Sequence, residues 1–154
     1  MRKHVFLLVA IAMFFGINLQ KANAQMSGTY YVGTGLTYTT LTGAGGFFSA
    51  INSSGINGNI VVKVATSTTE TGANALSVAT GSYTITIQPI DTTTVLKNLS
   101  GAYSGGMFRI SSPNVTFNGA VNGTGINMLL KNTTSGYYTF QLQSGANNFT
   151  VKNY

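Results

Sequence analysis

Phe108-Arg109-Ile110-Ser111-Ser112-Pro113-Asn114-Val115-Thr116-Phe117-Asn118-Gly119 returns, with two residues inserted, as Phe140-Gln141-Leu142-Gln143-Ser144-Gly145-Ala146-Asn147-Asn148-Phe149-Thr150-Val151-Lys152-Asn153. Both stretches read strand, short polar bend, asparagine, strand, polar exit. A unit this small cannot bury its apolar face alone, so copies must stack on one another, which is the logic of a solenoid. An antiparallel β-sandwich accounts for short strands and turns equally well, and periodicity leaves the two alternatives open.

Outward from this repeat, apolar residues alternate in Ile60, Val62 and Val64; Ile85 and Ile87; Met128 and Leu130; and Phe149 and Val151. A period of two means strands with one buried face. Between them lie Asn57-Gly58, Gly105-Gly106, Asn122-Gly123 and Ser135-Gly136, read as bends that need positive φ. One helix is expected, from Gly46 to Asn52, with Phe47 or Phe48 and Ile51 on one side. Gly, Thr, Asn and Ser make up nearly half of the 154 residues, a strand-and-turn alphabet. With 44% hydrophobic and 6% charged residues, the composition argues against disorder and against a charged coiled coil.

Residues 1–24 have the form of a secretory signal peptide. Arg2, Lys3 and His4 supply the positive region and Val5 to Ile17 the apolar one. Ala22-Asn23-Ala24 supplies the small-x-small site, with cleavage between Ala24 and Gln25. The apolar run is shorter than the roughly 20 residues that cross a bilayer, so no membrane association is expected after cleavage. Export through the general secretory route to the medium or the outer cell surface follows. The chain has no cysteine, which excludes a lipoprotein anchor and disulfide staples. Loss of the leader lowers the net charge from +6 to +3, and the remaining cations, Lys63, Lys97, Arg109, Lys131 and Lys152, are scattered. Nucleic acid is therefore not an expected partner.

Gly28-Thr29-Tyr30-Tyr31-Val32-Gly33, Tyr38-Thr39-Thr40-Leu41-Thr42-Gly43 and Phe48-Ser49-Ala50-Ile51-Asn52 resemble the start of large exported Bacteroidota proteins. Those proteins have a right-handed parallel β-helix of the pectin-lyase-like kind and are often substrates of type IX secretion. Three later segments resemble its successive coils: Gly58 to Val64 with Thr69-Glu70-Thr71-Gly72, Tyr83 to Pro89, and Asn114 to Gly119. Where that family often has aspartate before the last glycine, Asn118 stands here, removing one candidate cation-binding carboxylate. The resemblance decides between the two folds. It implies an all-β right-handed parallel β-helix, with 25–57 as an N-terminal strand and cap region and 58–154 as coils. Phe47, Phe48 and Ile51 are assigned to the capping helix. Because the sequence stops within Phe149-Thr150-Val151-Lys152-Asn153-Tyr154, the β-helix is expected to be incomplete at its C-terminus, as in an N-terminal fragment or truncated reading frame.

The chemistry is sparse. The only histidine, His4, leaves with the leader, so histidine-dependent and cysteine-dependent nucleophilic catalysis and His/Cys zinc sites are excluded. Glu70 and Asp91 are the only acids, too few for a calcium-dependent lyase and a poor pair for glycoside hydrolysis. Glu70 is read as a bend carboxylate binding backbone N–H groups. Asp91-Thr92-Thr93 resembles an O-glycosylation acceptor of exported Bacteroidota proteins and reads equally as a turn. Arg109 is read as an outward strand cation. Gly33-Thr34-Gly35 lacks the third glycine, helix and acidic partner of a dinucleotide loop. No cofactor, metal or catalytic residue is expected.

Tyr30, Tyr31, Tyr83, Tyr103, Tyr137 and Tyr138 offer flat apolar area with polar tips on which sugar rings stack. An ice-binding or carbohydrate-binding threonine ladder would need a Thr pair like Thr84 and Thr86 in every coil, and the sequence does not show it. The expectation is a noncatalytic structural or adhesive module of a larger exported protein, in contact with polysaccharide or cell-surface glycans. The alternative is the first part of a polysaccharide lyase or hydrolase whose acids lie beyond residue 154.

Overall fold

A computed structural model describes residues 24–90, 95–121 and 123–154. Residues 1–23 of the expected signal peptide, with His4, the Asp91-Thr92-Thr93 motif and Asn122 lie outside the described residues; Ala24 and Gln25, at the expected cleavage point, are exposed.

The elements in chain order are β1 (Met26–Val32), α1 (Phe47–Ser54), β2 (Ile56–Val64), β3 (Thr68–Thr69), β4 (Ile85–Pro89), β5 (Lys97–Gly101), β6 (Phe108–Ile110), β7 (Val115–Asn118), β8 (Met128–Asn132), β9 (Phe140–Leu142) and β10 (Thr150–Lys152). They form three sheets, ordered β1-β2-β4-β7-β10, β3-β5-β8 and β6-β9, and every strand pairing is parallel. The chain is thus an all-β parallel β-solenoid of about four turns, not a sandwich.

Like positions sit on like positions. Ile60 pairs with Ile85 and Ile85 with Val115, while Phe108 pairs with Phe140. The alternation read from the sequence puts Ile60, Val62, Val64, Ile85, Ile87, Phe108, Ile110, Val115 and Phe117 in a solvent-free interior. The two copies of the repeat align as their sequences do: Thr116 lies on Thr150, and the carboxamide of Asn148 donates to Asn114 Oδ1 at 3.0 Å. Both asparagines hold φ at 56°, a left-handed conformation that asparagine tolerates better than most residues. Leu142 and Val151 depart from the pattern. They are 53% and 43% exposed because the last rung has a neighbour on one side only.

α1 runs to Ser54 and buries Phe47, Phe48 and Ile51 at the β1 end of the interior. Its N-cap glycine, Gly46, is a packing requirement: a Cβ there would crowd the carbonyl oxygens of Thr40, Leu41 and Gly43.

Two of the four expected glycine bends need correction. Gly123 and Gly136 do take positive φ, at 80° and 79°. Gly58 does not, since Asn57-Gly58 lies inside β2, where a Cβ would press on Ser27 of the adjoining strand. Gly105 and Gly106 likewise keep ordinary φ, and Gly106 admits the Gln141 side chain of the next coil. Gly58 and Gly106 serve close coil-to-coil approach, which local sequence does not distinguish from a turn.

Candidate functional site

The first rung carries an aromatic cleft at its free edge. Gly33-Thr34-Gly35 turns the chain back, with Gly35 at φ 78° and Leu36 N–H donating to Gly33 O at 3.2 Å. Thr34 N–H donates to Thr66 Oγ1 at 2.8 Å, fixing the turn to the next coil. The return brings Tyr38 beside Val32 as a parallel bridge, closed by Gly33 N–H to Tyr38 O at 2.9 Å. The motif dismissed as a dinucleotide loop therefore shapes a cleft.

Thr29, Tyr30, Tyr31, Leu36, Thr37 and Tyr38 line this cleft, whose volume is about 360 Å³. Phe47 anchors it from within the core: its ring centroid is 5.5 Å from that of Tyr30 and 5.3 Å from that of Tyr38. Tyr31 and Leu36 remain 48% and 37% exposed. Tyr30 Oη accepts the Ser27 N–H at 3.3 Å, so its phenol occupies part of the β1 edge that an added strand would use. Among the described residues no carboxylate, amine or guanidinium lines the cleft. Rigid aromatic faces, an apolar side chain and hydroxyls suit a ligand that is flat, apolar on its face and hydroxylated on its rim.

The carboxylate is placed elsewhere. Glu70 is buried, and its Oε1 accepts from Leu41 N–H at 3.0 Å and Thr68 Oγ1 at 2.7 Å. Its Oε2 accepts from Thr42 N–H at 2.7 Å and Thr42 Oγ1 at 2.6 Å. Four neutral donors thus hold a charge that burial would otherwise penalise. The expected bend role is what the geometry shows, and the bend is tied to the cap loop 28 to 29 residues away in sequence. Among the described residues no group of three or more His, Cys, Asp or Glu side chains comes together.

Arg109 is not a plain surface cation. Its guanidinium donates to Gly72 O at 2.9 Å and Ala73 O at 3.0 Å and lies 5.5 Å from the Tyr103 ring centroid. It clamps one coil to another and covers one face of the half-buried Tyr103 ring. Tyr137 and Tyr138 are exposed in the last coil, and Tyr83 beside β4. The structure does not bring these three to the cleft.

The threonine ladder is as read, with one addition. The Thr pair is absent, but one outward column is nearly complete. Thr29 pairs with Val61, Val61 with Thr86, Thr86 with Thr116 and Thr116 with Thr150. Thr29 belongs to both the column and the cleft. Sequence reading named Tyr30 and Tyr31 but missed Thr29, Leu36, Thr37 and Tyr38. The signal for them was the Gly-Thr-Gly turn between two tyrosine segments.

Comparison of the chain with protein-family models, with curated proteins and with solved structures finds no match.

Proposed function

We propose that this chain is a noncatalytic structural and adhesive β-helix module of an exported, surface-associated protein, and that it contacts polysaccharide. The reading is supported by one contrast. The only carboxylate side chain among the described residues is buried and bound by four neutral donors, whereas an uncharged aromatic cleft opens to solvent. A polysaccharide-cleaving site needs proton donors and acceptors at the bond that breaks. A contact site needs only stacking area and hydroxyl partners. The signal-like leader and the resemblance to exported Bacteroidota β-helix proteins support location outside the cell.

Among the described residues no helix is long and apolar enough to cross a membrane. The test is a polysaccharide array and a parallel degradation assay on the purified chain. Retention on glycans without release of reducing ends or unsaturated products is expected. Product release would overturn the noncatalytic reading, and silence across the array the adhesive one.

A further inference from the structure

Resting on that reading, we infer that the outer face of the sheet β1-β2-β4-β7-β10 binds a linear, uncharged polysaccharide lying across the rungs, one sugar per rung, with its first ring stacked in the tyrosine cleft. The column Thr29, Val61, Thr86, Thr116, Thr150 runs from the cleft across all five strands. Every member is exposed or half-buried.

Asparagines beside it are engaged in hydrogen bonds from coil to coil. Asn59 Oδ1 accepts from Thr84 N–H at 3.0 Å, Asn148 donates to Asn114, and Asn153 Nδ2 donates to Asn118 Oδ1 at 2.7 Å. By contrast, the hydroxyls of Thr29, Thr86, Thr116 and Thr150 make no hydrogen bond among the described residues. Those of Thr86, Thr116 and Thr150 are donors and acceptors at strand-to-strand spacing, about 4.8 Å apart, close to the advance per sugar of an extended β-linked pyranose chain, and Thr29 stands two rungs from Thr86, across Val61. Threonine is stiff at χ1, so little rotamer freedom is lost when these hydroxyls are engaged.

The charge pattern selects the class of glycan. A uronate or sulfated chain repeats its anion along its length. The flanking column, in which Tyr31 pairs with Lys63 and Asn118 with Lys152, offers lysine on the second and last rungs, and neither lysine lines the cleft. An uncharged chain asks nothing of the rungs between.

Calorimetric titration of the purified chain with cello-, xylo- and manno-oligosaccharides, and with hexagalacturonate, tests this. Affinity for at least one neutral series is expected to change little at the second sugar, which faces Val61, then to rise roughly threefold per added sugar, the scale of one net hydrogen bond, and to level off near five sugars. Tyr31→Ala is expected to lower affinity at least tenfold at every length, and Tyr31→Phe to preserve it. Thr86→Ala and Thr116→Ala should weaken only the longer ligands. Val61→Thr, which completes the column, should tighten them about threefold, while Tyr83→Ala, outside the cleft, changes nothing. Near-native circular dichroism of each variant excludes misfolding as the cause.

Affinity that stops growing after two sugars, or that ignores Thr86→Ala and Thr116→Ala, overturns the inference and leaves polysaccharide contact at the cleft standing. Preference for hexagalacturonate overturns the uncharged class. No binding to any glycan overturns both readings, and ice shaping by the chain in that case would assign the column to ice.

Discussion

Glu70 shows how a single residue joins sequence-distant parts of this fold. Removing the side chain leaves the Leu41 and Thr42 N–H groups and the Thr42 and Thr68 hydroxyls without their shared acceptor in a dry site. Glu70→Ala is expected to cost on the order of 3 kcal/mol, because orphaned buried donors forfeit their desolvation as well as the bond. Glu70→Gln should cost nearly as much, since its amide presents donors to donors. Thr42 is the second knot: its hydroxyl donates to Glu70 and accepts from the N–H groups of Thr71 and Gly72. Thr42→Val should lose about 1.5 kcal/mol, while Thr42→Ser stays near neutral. Urea midpoints at unchanged slope measure all four, and a wild-type midpoint for Glu70→Ala would refute the network.

At the scale of elements, α1 seals the interior that β1 begins. Phe47, Phe48 and Ile51 are fully buried, so Phe48→Ala is expected to cost about 3 to 5 kcal/mol through lost burial and the cavity left behind. The loss should be coupled to faster amide exchange in β1; unchanged β1 protection would mean that the helix is packed on the solenoid without capping it. The helix was legible from Phe47, Phe48 and Ile51, and so were most strands, because inside and outside residues alternate within a few positions. The outward column was not. From Val61 to Thr86 the coil advances 25 residues, from Thr86 to Thr116 30, and from Thr116 to Thr150 34. Coil length is set by loops of varying length, so no fixed period exposes which threonines share a face. Leu36 and Tyr38 escaped for a related reason: their place beside β1 depends on a turn conformation, and not on apolar pattern.

The whole molecule is polar along its axis in the sense that its two ends differ. One end is closed by α1 and the loop held by Glu70. At the other, Phe140 and Phe149 are half-buried, their ring centroids 5.4 Å apart, with Phe140 at 4.9 Å from Phe117 of the coil below. β8, β9 and β10 each present an unpaired edge there, since each is last in its sheet. Edges of this kind, flanked by exposed Leu142 and Val151, template pairing with other chains. The surface cations reduce but do not abolish that tendency, because Lys152 stands on β10 while β9 carries none. The isolated chain is therefore expected to associate as concentration rises. Leu142→Lys with Val151→Lys places charge on two of the three edges at positions already partly wet, so folding stability should change little while association falls. Sedimentation velocity over a concentration series measures the difference. If both proteins sediment identically as monomers, the open rung is not an association surface; if both associate equally, the contact lies on another face, with the threonine column the first place to look.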